Sequence, residues 1–180
     1  WHPHQRVTCD GILVSVGWNP NAALVSQAGG RFQYSSKLHQ LVPSRLPGDV
    51  FVAGRANGVF ELADQVADGE RAGLAAAAHL GAYDGSLPNR PEHQGPAPSH
   101  PYPVFPDPKK KNFVDLDEDL HLADFANAHQ EGYDNVELLK RFTTVGMGPS
   151  QGKLSGFPAV RILANLNNAS IDDTGTTTSR

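Results

Sequence analysis

The stretch KRFTTVGMGPSQGKLSG, Lys140 to Gly156, gathers a basic pair, two threonines, a further lysine at 153 and glycines at 146, 148, 152 and 156. A loop of this kind can hold a phosphate, hold a metal cluster, or turn a corner. Lys140, Arg141 and Lys153 with Thr143, Thr144 and Gln151 suit a phosphate, because charge-assisted bonds to phosphate are strong and directional. In the alternative the cations are solvated, and Gly146 and Gly148 simply permit positive φ. A second chemistry-bearing stretch is VFVAGRANG, residues 50–58, which runs into an alanine-rich helical segment. A strand, a glycine corner and a helix start put backbone N–H groups where open α/β sheets bind phosphate or flavin groups. Alone this is a weak signal, since many strand–helix corners need glycine.

The elements that must position these groups follow from patterning. CDGILVSVG (9–17) reads as a buried strand ended by Gly17 and the turn signal NPN, and DVFVAG (49–54) as a second one. Between them, AALVSQAGG is a short helix or turn, while RFQYS and HQLVP form a hairpin or outer strand pair. A long helix is predicted from about Gly58 to Leu80, ended by Gly81. Gly69, Gly73 and Ala77 share one face of it. Interior glycines cost about 1 kcal/mol each relative to alanine, so close approach of this face to a neighbour is expected. Residues 82–111 are dense in proline and read as an extended connector with solvated His93 and His100. Beyond Asn112, DEDLHLADFANAHQEG is a helix with its acids at the start, NVELLKRFTT is a helix capped by Asn135, and PAVRILANLNN is a helix with Pro158 in its first turn. Three short helices around one loop make a small all-α module.

The 180 residues suffice for one ordinary domain or two small ones. Nineteen acids against fifteen Lys and Arg give a net charge of −4, which argues against nucleic-acid binding. No apolar run approaches the roughly 20 residues of a membrane helix. A single cysteine, Cys9, excludes an internal disulfide framework and points to a reducing, cytoplasmic compartment. The chain opens at Trp1 and stops at GTTTSR, which suggests an internal piece of a longer polypeptide. WHPH at the start is an exposed end, because no third ligand lies near His2 and His4.

Two motif sets carry a family resemblance. D-x-I-x-V-S-x-G-x-x-P-N…L from Asp10, followed by P-G-x-V-F-V-A-G…L-A-D…G-x-x-A-G from Pro47, resembles the last third of a two-dinucleotide-binding-domain flavoprotein. Within that superfamily it is most similar to the alpha subunits of heterotetrameric sarcosine oxidase. The fold implied is α/β, the C-terminal part of a Rossmann-like domain over 1–85, with a Pro-rich linker at 86–111. A helical module (112–168) and a connector (169–180) follow. Gly54, Ala56, Asn57 and Gly58 would line the dinucleotide, with Leu62 packed against it. Arg55 stands where flavin-holding relatives carry an aspartate, which suits NAD rather than flavin adenine dinucleotide. Arg55 would reach a phosphate or remain a surface arginine.

The second set resembles the two-iron two-sulfur domains of amine and amino-acid dehydrogenases. In their pattern, C-x-C-E-x-V-T and G-M-G-x-C-Q-G-x-x-C, the cysteine positions fall at Asp115, Asp117, Ser150 and Ser155 of this chain. Clusters need thiolates, with imidazole as the usual substitute, so no iron–sulfur cluster and no metal is expected. The same segment is similar to that of the sarcosine oxidase alpha subunit. This implies contact of Lys140, Arg141, Thr143, Thr144, Gly146, Gln151 and Lys153 with an FMN linked to the beta subunit. The implied activity is oxidative demethylation of sarcosine or a close N-methyl amine, with oxygen reduced to hydrogen peroxide and the one-carbon unit passed to tetrahydrofolate. Beta, gamma and delta subunits are the implied partners, with no catalytic residue in this stretch. The rival readings are a subunit of a flavin-dependent amine, opine or proline dehydrogenase, and a non-catalytic nucleotide-binding scaffold.

Overall fold

The computed structural model of the chain describes residues 7–11, 13, 17–92, 99–100 and 106–176. Of the first predicted strand, Ile12 and residues 14–16 lie outside the described residues, while Cys9–Gly11 and Leu13 are exposed. Helix α1 (Ala23–Gln27) stops at Ala28, and Gly29 takes φ +94° to reverse the chain. Strands β1 (Arg31–Ser35) and β2 (Gln40–Arg45) form the expected hairpin, pairing antiparallel with Tyr34 opposite Leu41 and Phe32 opposite Pro43. The register slips between Arg31 and Phe32, next to the proline that lacks a ladder donor.

The predicted strand at 49–54 is not one. Residues 50–53 have no ladder partner, and Phe51 is 38% exposed. A strand exists only through a neighbour that answers its N–H and C=O groups, and none lies beside this segment among the described residues. Gly54–Asn57 is a 3-10 turn closed by Gly58 at φ +81°, and helix α2 (Leu62–His79) starts four residues later than the sequence suggests. Among the described residues nothing makes the expected close approach to the glycine face of α2. A Cβ placed on Gly69 or on Gly73 meets nothing within 4 Å. Gly69→Ala and Gly73→Ala are therefore each expected to stabilise the chain by about 1 kcal/mol, read as a higher urea midpoint. A lower midpoint for either would show that this face is covered.

The C-terminal module is not all-α. β3 (Phe113–Asp115) and β4 (Leu120–His121) pair antiparallel, and the acids 117–119 sit in the turn between them rather than at a helix start. Helix α3 (Leu122–Gln130) begins only after that turn. The Asp124 carboxylate accepts the His121 N–H at 2.7 Å at the helix entry. Helix α4 (Val136–Thr143) is capped as predicted, the Asn135 side chain accepting the Glu137 N–H at 2.9 Å. Helix α5 (Gly156–Leu166) buries Val160 and Leu163, and a short helix α6 (Ile171–Thr174) is capped by Ser170.

Phe125, Leu139, Val160 and Leu163 are fully buried at the centre of this module. Tyr34 and Leu41, the facing pair of the β1–β2 hairpin, pack on the same core. The hairpin is also pinned at its rim, where the Tyr34 N–H donates to Asp172 at 2.8 Å. Arg161 joins three segments. Its guanidinium lies 4.4 Å above the Phe157 ring and donates to the carbonyls of His100, at 2.7 Å, and His39. Burial lowers its pKa below the usual guanidinium value, opposed by the Tyr34 phenol. The connector is thus anchored where described. Ser99 exchanges hydrogen bonds with the Trp18 backbone at 2.9 and 3.0 Å, and His100, expected to be solvated, is partly buried. His93 lies outside the described residues. No helix among the described residues is long and apolar enough to cross a membrane.

Candidate functional site

The 54–62 corner is stapled from below by one buried carboxylate that the sequence pattern did not single out. Asp68, 1% exposed on α2, accepts the Gly54 N–H at 2.8 Å and the Asn57 side-chain amide at 3.0 and 3.2 Å. Arg90, from the connector, donates to the Asn57 carbonyl at 2.6 Å and to its side-chain oxygen at 2.8 Å. Asn57 is therefore buried and bonded inward, and Gly58 donates its N–H to the preceding turn. A side chain on Gly58 would come within 2.9 Å of Leu38 and 3.1 Å of Val42, so glycine is required there by both φ and space. Of the predicted set, Arg55 and Leu62 are exposed and Ala56 is partly so. The Arg55 guanidinium is exposed and stacks 4.2 Å above the Trp18 ring, and Leu62 is exposed at the head of α2. The signal for Asp68 was legible only as a charged residue on the inner face of an amphipathic helix.

The 140–156 loop is built around the four positions matched above to cysteines. They do meet, as two oxygen pairs. Asp115, 3% exposed, accepts the Ser155 hydroxyl at 2.7 Å, the Gly146 N–H at 2.8 Å and the Asp117 N–H at 3.0 Å. Asp117 accepts the Ser150 N–H at 2.7 Å. Gly148 lies so close to Asp117 that a Cβ there would collide with it, and Gly146 and Gly152 touch through their backbones. The glycines thus serve close approach as well as positive φ, which Gly146 and Gly152 also adopt. Seven of the loop amides turn inward. Those of Val145, Gly146, Met147, Ser150, Gln151, Lys153 and Gly156 all donate within the module.

Of the predicted side chains, Thr143 is buried and gives its hydroxyl to the Leu139 carbonyl at 2.8 Å, which removes it from any surface contact. Thr144, at φ +64°, is exposed with its hydroxyl 2.9 Å from Glu118. Arg141, Gln151 and Lys153 are exposed, and Lys140 is partly buried. What the loop can offer a phosphate is a rim of cations and one amide side chain.

Hydrogen bonds from the Ser150 side chain and N–H hold the Asp117 carboxyl below the ordinary value of 3.8. A group depressed in the folded state contributes stability that is complete above its unfolded value and disappears as pH falls through its folded value. The Asp117 clasp is therefore expected to stay closed at and above pH 3.8 and to open only below it. The Ser150 amide shift in an NMR titration reads this directly, and a midpoint above 3.8 would contradict it.

The family described as the sarcosine oxidase A3 domain matches residues 109–180. Over 98% of its length the chain is 34% identical to sarcosine oxidase subunit alpha of Rhizobium meliloti (strain 1021), of which it spans 18%. Against the subunits of the same name from Corynebacterium sp. strains P-1 and U-96, identity is 30% and 31%, again over 98% of this chain and 19% of each relative. The chain thus spans less than a fifth of the relatives it matches. Among solved structures, the crystal structure of L-proline dehydrogenase from P. horikoshii superposes with a TM-score of 0.70. It covers 90% of this chain and 35% of that one at 20% identity, so the two share a fold.

Proposed function

We propose, from the premise that this chain is a homologue of the sarcosine oxidase alpha subunit along nearly its whole length, that it is the part of such a subunit that supports flavin-linked oxidation of sarcosine or a close N-methyl amine. The observation that carries the reading is the extent of the match, which covers 98% of the chain and so takes in both the 54–62 corner and the 140–156 loop. On this reading residues 1–85 end a Rossmann-like dinucleotide-binding domain, 86–111 is a Pro-rich linker, and 112–168 is a docking module joined by 169–180 to a further domain.

The residues present fit the two nucleotides in part. Toward NAD, Arg55 offers a phosphate partner held in place by Trp18, and Leu62 offers an apolar wall. Gly54 and Asn57 shape the corner through Asp68 rather than through direct contact. Toward an FMN carried by the beta subunit, Arg141 and Lys153 supply charge and Gln151 an amide. Asp115 and Asp117 keep that rim rigid. An iron–sulfur cluster does not fit, because its four positions are carboxylates and hydroxyls bonded to one another or to the loop backbone. Flavin, when bound, supplies the acceptor for hydride from the amine and its passage to oxygen. On this reading the part played by the chain is to position and neutralise phosphate. Beta, gamma and delta subunits, tetrahydrofolate as one-carbon acceptor and a cytoplasmic location belong to the same proposal.

Cofactor release from the intact complex, followed by absorbance and mass analysis, tests it. Flavin and NAD without iron or acid-labile sulfide are expected. Stoichiometric iron and sulfide would replace this reading with that of an electron-relaying dehydrogenase subunit. Nucleotide that never changes redox state would leave only a scaffold.

A further inference from the structure

Between the turn of the β1–β2 hairpin and the connector lies a cavity of about 320 Å³, lined by Ser35, Lys37, Arg90 and Glu92 above an apolar floor that includes Leu38 and Val59. Its charges are not neutralised internally. Among the described residues neither Lys37 nor Arg90 forms an ion pair, although Glu92 lines the same wall. Arg90 is fixed through one nitrogen, Nη2, on the two oxygens of Asn57, which leaves Nη1 and Nε for another acceptor. The Ser35 hydroxyl oxygen accepts the Leu38 N–H at 3.3 Å and keeps its own proton to donate. Behind the wall, Gln40 is fully buried, and neither atom of its amide has a partner among the described residues. Its Nε2 lies 4.0 Å from the place a Gly58 Cβ would occupy. Buried amides are rarely left unbonded, and this one backs the cavity wall.

We propose that this cavity is a binding site for a small anion-bearing molecule. Its phosphate or carboxylate is held between Lys37 and Arg90 with the Ser35 hydroxyl as a third donor. Its body lies on Leu38 and Val59, and a donor group is turned to Glu92. Two cations against one carboxylate select a net anion or a zwitterion. The volume falls at the small end of the range of ligand pockets, and the apolar floor favours a molecule over a bare ion. The site is made by the hairpin, the connector and the Asn57–Val59 part of the Gly54–Leu62 corner, so it adjoins the proposed dinucleotide site and shares residues with it.

Isothermal titration of the purified protein with inorganic phosphate and, separately, with sarcosine tests it and separates the two anion chemistries. Saturable binding of at least one probe is expected, weakened by 0.5 M salt. It should fall at least tenfold in Lys37→Ala and be retained in Lys37→Arg, because one charge-assisted bond is lost in the first and kept in the second. Lys37 is an exposed turn residue, so its variants report on binding rather than on folding. Phosphate alone binding identifies a phosphate-bearing ligand, sarcosine alone a carboxylate, and competition between them a shared anion pocket. No saturable heat with either probe, or an affinity unchanged in Lys37→Ala, would overturn the proposal.

Discussion

Asp115→Ala is expected to cost about 4 kcal/mol of stability, more than its removal of a single side chain suggests. The substitution leaves three donors without an acceptor, the Gly146 N–H, the Asp117 N–H and the Ser155 hydroxyl, two of which share one carboxylate oxygen. A stranded buried donor costs about 1–3 kcal/mol; the Ser155 hydroxyl is buried and the two N–H groups partly so, and loss of the buried charge itself returns part of the total. Asp115→Asn keeps one oxygen but turns an N–H2 group toward donors or toward the Asp117 N–H, and is expected to cost roughly half as much. Ser155→Ala, which removes one donor together with its bond, should cost about 1 kcal/mol. Urea midpoints of the three variants rank them, and hydrogen exchange across 146–155 locates the loss. If Asp115→Asn unfolds no more easily than Ser155→Ala, the carboxylate is not the organiser of this loop.

Arg161→Met is the second large effect, expected at about 3 kcal/mol. Methionine keeps the apolar contact with Phe157 but withdraws the donors to the His39 and His100 carbonyls. Bonds to charged donors contribute about 1.5–3 kcal/mol each, and relief of the burial that depresses the guanidinium pKa offsets part of the loss. Arg161→Lys should not restore stability, because one ammonium cannot reproduce a planar fork that serves two separate carbonyls. Limited proteolysis discriminates this clamp from general weakening. Cleavage near His39 and His100 should rise before the module core opens, and uniform cleavage along the chain would refute the clamp.

The structure and the sequence agree where short-range chemistry decides. The alternation of RFQYS and HQLVP gives the hairpin, Asn135 caps α4, and the four positions that the family resemblance matched to cysteines, Asp115, Asp117, Ser150 and Ser155, do meet. They part where a residue's state depends on what lies across from it. The apolar run at 50–53 reads as a strand, yet no ladder forms without a partner. The acids 117–119 read as helix-start charges, yet Asp117 reaches across thirty-three residues to Ser150 and the chain turns there instead. Thr143 reads as a surface hydroxyl, yet α4 turns it inward to its own backbone. Asp68, which staples the 54–62 corner, shows in the periodicity only as a charge on an inner helix face, and Arg161, which ties the hairpin and the connector to α5, gives no signal there because its partners are backbone carbonyls.

The docking of the β1–β2 hairpin has a consequence for how this chain is made. Tyr34 is bonded to Asp172, 138 residues further along, and Arg161 reaches back 122 residues to His39. At about 5–20 residues per second during synthesis, the hairpin emerges on the order of ten seconds before the surface it covers exists. Through that interval the apolar faces of Tyr34 and Leu41 have no module to pack on. The order of emergence therefore makes the N-terminal half the client of any factor that shields nascent chains, and the C-terminal half the event that releases it.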